Sequence, residues 1–136
     1  SPRLYEQERE KFVNLMDETR EQAIATLRQE FSELVTHLTD RLGTNGNDKP
    51  KILRSSVLQN LGEFLEGFSS RNIFQDDQLQ ELVETTRSLM SGVSAEHLRD
   101  SQGLRESIRQ NMEEVKQQID ESVTDMPRRK ITMEAT

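Results

Sequence analysis

The chain reads as an all-α protein, an elongated helical bundle with a long helix at each end, and three observations carry that reading. From Arg3 to Leu42 there is no glycine or proline. Every long segment repeats apolar residues at helical spacings of three and four, and none alternates like a half-buried strand of useful length. The composition is lean: 32% of the 136 residues are hydrophobic, 4% aromatic and 32% charged. Ordinary globular domains carry about 45–50% apolar residues with glycine included, so this chain suits an elongated bundle or coiled coil better than a sphere.

The first helix is predicted to open with Ser1 as N-cap and Pro2 at the first helical position. At 1.5 Å per residue it would reach about 60 Å, longer than a small domain is wide. Ile24, Leu27, Phe31, Leu34 and Leu38 form a heptad seam. Carried upstream, that register lands on Asp17 and Arg20 and fails. An eleven-residue spacing links Tyr5, Met16, Leu27 and Leu38 instead, as in a nearly straight amphipathic helix. The C-terminal half should therefore pack, while the half bearing Glu6, Glu8, Arg9, Glu10 and Lys11 is mostly solvated.

Residues 43–51 read as a linker, with Gly43 expected as a left-handed helix stop and Pro50 placed to begin the next helix. The second helix, with Ile52, Leu53, Val57, Leu58, Leu61, Phe64, Leu65 and Phe68, is the expected core element. Gly62 and Gly67 within it are expected at close helix contacts. Ile73 and Phe74 should fold back from the following loop. Asp76 or Asp77 caps the third helix, which carries Leu79, Leu82, Val83, Leu89 and Met90 and ends at Gly92. Ser94 caps a short turn through Leu98.

Asp100 or Ser101 starts the last helix, whose seam is Leu104, Ile108, Met112, Val115, Ile119, Val123 and Met126, with Pro127 as its stop. The organisation is thus a long helix over 1–42, a linker over 43–51, a compact helical region over 52–126 and a basic extended tail over 127–136. The last helix is expected antiparallel to the C-terminal half of the first, with the second and third covering the seam. A Ser-Pro beginning in place of Met is what an excised domain with a tag remnant would show, and a processed N-terminus would look the same.

Charge and residue inventory narrow the function. The net charge is −7, concentrated in residues 76–126, so most of the surface repels a phosphate backbone. With no cysteine there is no disulfide framework, thiolate nucleophile or zinc-thiolate site. No apolar stretch approaches the ~18 residues of a membrane span, and a cytoplasmic location is expected. Glu33 and His37 share a helix face, but the paired Glu-x-x-His motifs of a bundle metal site do not occur. His97 beside Glu96 points elsewhere, so no metal or cofactor is expected. Serines fall at helix starts and in loops, where capping accounts for them, and no nucleophile elbow surrounds any of them.

Gly92-Val93-Ser94 followed by Leu98-Arg99 resembles the turn and early recognition helix of repressor-type helix-turn-helix motifs. It departs from them at Arg87, Ser88 and Ser91, where buried positions are needed, and it presents Glu96 and Asp100 where phosphates would lie. The basic triplet Arg128-Arg129-Lys130 suits the end of a helix.

The expectation is therefore a non-enzymatic helical module for protein–protein interaction or oligomerisation, a domain of a larger protein. It would have no catalytic, cofactor or metal residues, and would take a protein partner or a second copy of itself. Tyr5, Phe12 and Met16 have no obvious mate within the chain and are the expected partner-binding residues. The alternative is a nucleic-acid-associated protein using the helix-turn-helix-like segment, Arg54, Arg71 and the basic tail, an unfavoured partner given the charge.

Overall fold

A stretch without helix breakers becomes one continuous helix. In the computed structural model, which describes residues 1–124 and the side chains of residues 1–122, α1 spans Pro2–Arg41, forty residues. It is followed by α2 (Ser55–Arg71), α3 (Asp77–Met90), the short α4 (Ala95–Asp100) and α5 (Gln102–Thr124). No strand is found among the described residues; Thr44 and Pro50 form a single isolated bridge across the linker.

The C-terminal half of α1 packs antiparallel against α5, so that Arg105 at the start of α5 reaches the end of α1 while Ser122 near its other end meets Arg28. α2 lies on α1, α3 bridges α2 and α5, and α4 rests on α5. The shared core gathers Leu27, Phe31, Val35 and Leu38 of α1 with Leu61, Phe64, Leu65 and Phe68 of α2. Leu79, Leu82 and Val83 of α3, Leu98 of α4, and Ile108, Met112, Val115 and Ile119 of α5 join them, with Leu42, Leu53 and Val57 near the linker. Each such side chain, fully buried, contributes about 1.5–3 kcal/mol. Phe31 and Phe64 stack with ring centroids 5.3 Å apart. Three predicted caps form: Asp76 accepts from the Leu79 amide, Ser94 from that of His97 and Ser101 from that of Leu104, whereas Ser1 holds the N-cap position of α1 without a side-chain hydrogen bond.

Several local expectations need correction. Gly43 does not adopt the left-handed conformation; α1 ends with Leu42 still near the right-handed helical region, and positive φ falls at Asp48, Gln75 and Gly92. Pro50 does not open the second helix, which begins five residues later at Ser55. That leaves Ile52 exposed while Leu53 is buried. Ile73 does not fold back and is 72% exposed; Phe74 is half-buried. Neither Gly62 nor Gly67 sits at a close approach, since a Cβ at either would meet nothing within 4 Å. Val35, which belongs to no seam in the periodic reading, is fully buried. Val123 lies in α5, but Met126 and the whole basic tail lie outside the described residues.

Guanidinium groups hold what apolar packing leaves open. Arg105 donates to the carbonyls of Leu42 (3.1 Å), Arg41 (2.8 Å) and Lys51 (2.6 Å). It thereby caps the C-terminus of α1 and fastens the end of the linker at once. Arg41 donates twice to the Ile52 carbonyl, and Arg99 twice to that of Leu53. Burial, and then the nearby Arg41 charge, lower the pKa of Arg105 from its ordinary value.

On the far side of the bundle Arg28 makes a two-pronged pair with Asp76, at 2.7 and 2.8 Å, and donates to the Ser122 carbonyl at 2.8 Å. Both side chains are almost fully buried. Burial alone would push the Asp76 carboxyl up. The hydrogen bonds from Arg28 and the Leu79 amide, with the guanidinium charge, outweigh it and hold the carboxyl below its ordinary value.

Candidate interaction face on the first helix

All of the first twenty residues are exposed, and α1 buries nothing before Leu27. At 1.5 Å per residue, that leaves about 30 Å of helix projecting beyond the bundle. The projecting part nevertheless carries large apolar side chains. Tyr5 is 68% exposed, Phe12 63% and Met16 44%. Leu4, Val13 and Leu15 are exposed with them, and sequence reasoning passed over these three. Leu4 and Leu15 are separated by the same eleven residues as Tyr5 and Met16, so the repeat that flagged one pair also marks the other.

The direction of this face follows from helical geometry. Arg28 and Glu30 are two residues apart and so point to nearly opposite sides of α1. Arg28 meets α5 through Ser122, whereas Glu30 meets α2 through Arg71, at 2.7 and 2.9 Å. Phe12 lies about five full turns before Glu30 and therefore shares its side, away from α5. Tyr5, Met16 and Ala23 fall within a fraction of a turn of the same line. The overhang's apolar arc is thus rotated by about a quarter turn from the stripe of Leu27, Phe31, Val35 and Leu38 that faces the core.

Followed toward the bundle, the face runs into a groove of about 470 Å³. One wall is α1, with Thr19, Ala23 and Thr26; the other is the tip of α2 and the loop after it, with Arg71 and Ile73. Arg71 closes the floor by pairing with Glu30 and lying over the Phe64 ring, 5.7 Å from its centroid. The hydrogen bond from Arg71 holds the Glu30 carboxyl below its ordinary value against the opposing effect of burial, and raises Arg71 correspondingly. The exposed Ile73 forms a shelf at the end of the projecting face. Charges share the arc with the apolar residues: Glu8, Arg9 and Lys11 stand among them, and Lys11 and Glu8 pair at 3.4 Å on the open surface.

Other concavities open elsewhere on the described surface. A second concavity of about 460 Å³ lies between α2 and α3, walled by Leu58, Leu61, Leu65, Met90 and Val93. Its guanidinium, from Arg87, is engaged with the Leu65 carbonyl. His37 and His97 are both exposed, and among the described residues no three His, Asp or Glu side chains gather as a metal site would require. No described helix is long and apolar enough to cross a membrane. In the helix-turn-helix-like segment, α4 is only six residues long, Ala95 and Leu98 face inward, and Arg99 gives its guanidinium to the Leu53 carbonyl. Arg54 is exposed and Arg71 is paired, so the two lie in different surroundings; the Arg128-Arg129-Lys130 triplet lies outside the described residues.

Comparison with protein-family models, with curated proteins and with solved structures gives no match to this chain.

Proposed function

We propose that this protein is a non-enzymatic helical interaction module whose docking surface is the projecting N-terminal half of α1. The observation that supports this reading is the set of large apolar side chains held in solvent on one rigid helix, with Tyr5, Phe12 and Met16 aligned on the side that leads to the Ile73 groove. Burying each of the three would contribute up to about 1.5–3 kcal/mol. A helix presenting anchors at i, i+7 and i+11 suits a partner helix or an apolar groove. The bundle's role is to fix that helix in space.

A photo-crosslinking side chain placed at position 12, in cells that produce the protein, tests the reading. A covalent protein adduct should form there and not with the same group at the exposed Gln59 of α2. It should disappear when Tyr5 and Met16 are both changed to serine. Equal labelling at positions 12 and 59 would refute a docking role for this face.

A further inference from the structure

The projecting face has a pattern that reads the same in both directions. Along one edge of the arc stand Leu4, Glu8, Lys11 and Leu15, at spacings of four, three and four. Along the adjacent edge stand Tyr5, Arg9, Phe12 and Met16 at the same spacings. Each row is a strip of neighbours on the helix surface. All eight residues are exposed.

Turn a second α1 end for end against the first, centred near Glu10. Leu4 of one row then meets the partner's Leu15, Glu8 meets the partner's Lys11, and Lys11 meets the partner's Glu8. In the other row Tyr5 meets the partner's Met16, and Arg9 lies against the partner's Phe12, a favourable place for a guanidinium. The two rows want centres that differ by one residue, about 1.5 Å along the axis, which side chains accommodate. Side by side in the same direction, Glu8 would stand level with the partner's Glu8 near the seam, while Lys11 would lie on the opposite edge from the partner's Lys11, so neither Glu8–Lys11 cross-pair would form. Charge therefore selects one orientation.

We propose that the occupant of this face is a second copy of the chain, held as an antiparallel pair of α1 overhangs. This deepens the docking role proposed above and rests on it. The five large apolar side chains of the two rows on each copy offer on the order of 100 Å² apiece, about 1,000 Å² for two copies, near the least that a specific interface buries. In this register residue 20 of each copy lies level with the start of the other, so the bundles sit beyond opposite ends of the overlap. α5 contacts α1 from the far side and leaves the face open.

Sedimentation velocity on the 136-residue chain, up to about 100 µM, reads the pairing. The chain should dimerise, and Phe12→Asp should abolish the dimer while leaving the thermal transition of the bundle in place. Glu8→Lys alone and Lys11→Glu alone should each weaken dimerisation about tenfold, because two cross-pairs turn repulsive. The double exchange should restore it, and so should mixing the two single variants. An effect on the helix itself could not produce recovery on mixing.

A chain that stays monomeric throughout, or single exchanges that leave dimerisation unchanged, would overturn the antiparallel pair. If a monomeric chain still cross-links at position 12 to a different protein, the second-copy assignment fails and the docking role stands. If neither association nor cross-link occurs, both fail.

Discussion

Removing the carboxylate of Asp76 should destabilise this protein strongly. Asp76 accepts both prongs of Arg28 and also caps α3 through the Leu79 amide. Asp76→Ala therefore strands a guanidinium that is only 8% exposed and opens the first turn of α3. Breaking a buried ion pair from one side costs about 3–5 kcal/mol, and a lost cap about 1 kcal/mol, with overlap between the two. A net loss near 4 kcal/mol would lower the melting temperature by roughly 12–20 °C for a chain of this size.

Asp76→Asn separates the contributions, because asparagine still caps but cannot neutralise Arg28. It should lose most of the ion-pair part and little of the cap. Arg28→Ala should cost a similar amount, partly by freeing the Ser122 carbonyl. The double Arg28→Ala/Asp76→Ala should cost at least 2 kcal/mol less than the two singles added together, since neither charge is then stranded. Urea unfolding followed by circular dichroism measures all four proteins. Strict additivity, or an Asp76→Ala loss below about 1 kcal/mol, would refute the view that this pair is a buried, coupled unit.

Three other perturbations test different parts of the structure. The Asp76 carboxyl is held below its ordinary value, so it binds its proton less readily folded than unfolded. Its contribution is present above about pH 4 and is lost as the pH falls through the folded value; thermal melts should drop on acidification, with a shallower drop in Asp76→Asn. Arg105→Lys keeps the charge but cannot reach three carbonyls at once, and should cost about 1–3 kcal/mol by urea unfolding. Faster hydrogen exchange of the Lys51 amide, which bonds to the Gly43 carbonyl, should accompany it. Gly67→Ala should stabilise by about 0.5–1 kcal/mol, since the position is mid-helix and a Cβ there meets nothing, so a loss of stability would show an unseen contact.

Sequence sufficed wherever local chemistry decides the outcome. α1 is continuous because nothing in it breaks a helix, and Asp76, Ser94 and Ser101 cap helices because their oxygens reach amides two or three residues on. The failure of the heptad register at Asp17 and Arg20 located where packing stops, and with it Tyr5, Phe12 and Met16. What stayed hidden depends on elements distant in sequence. Arg28 and Arg105 look like ordinary solvated charges on amphipathic helices, and only the arrival of Asp76, or of the end of α1 at Leu42, accounts for their burial. The Ile73 groove exists because the tip of α2 lands beside Ala23, which no local pattern encodes. Gly43 invited a left-handed stop, yet the chain turns through Asp48 instead.

The linker between α1 and α2 is gripped at its ends by Arg41, Arg99 and Arg105, and every one of those grips is on a main-chain oxygen. Backbone oxygens are the same whatever residue carries them, so the grip itself places no demand on side-chain identity between Thr44 and Lys49, although Asn45 shapes the apex by accepting from the Asn47 and Lys49 amides. Spliced sequence at that apex would leave the anchors in place, and doubling the loop length costs only about 0.6 kcal/mol in closure entropy. The protein thus carries a permissive insertion point at the opposite end of α1 from its projecting half. A fluorescent or affinity domain grafted between Gly46 and Asn47 would report on assembly without standing in its way.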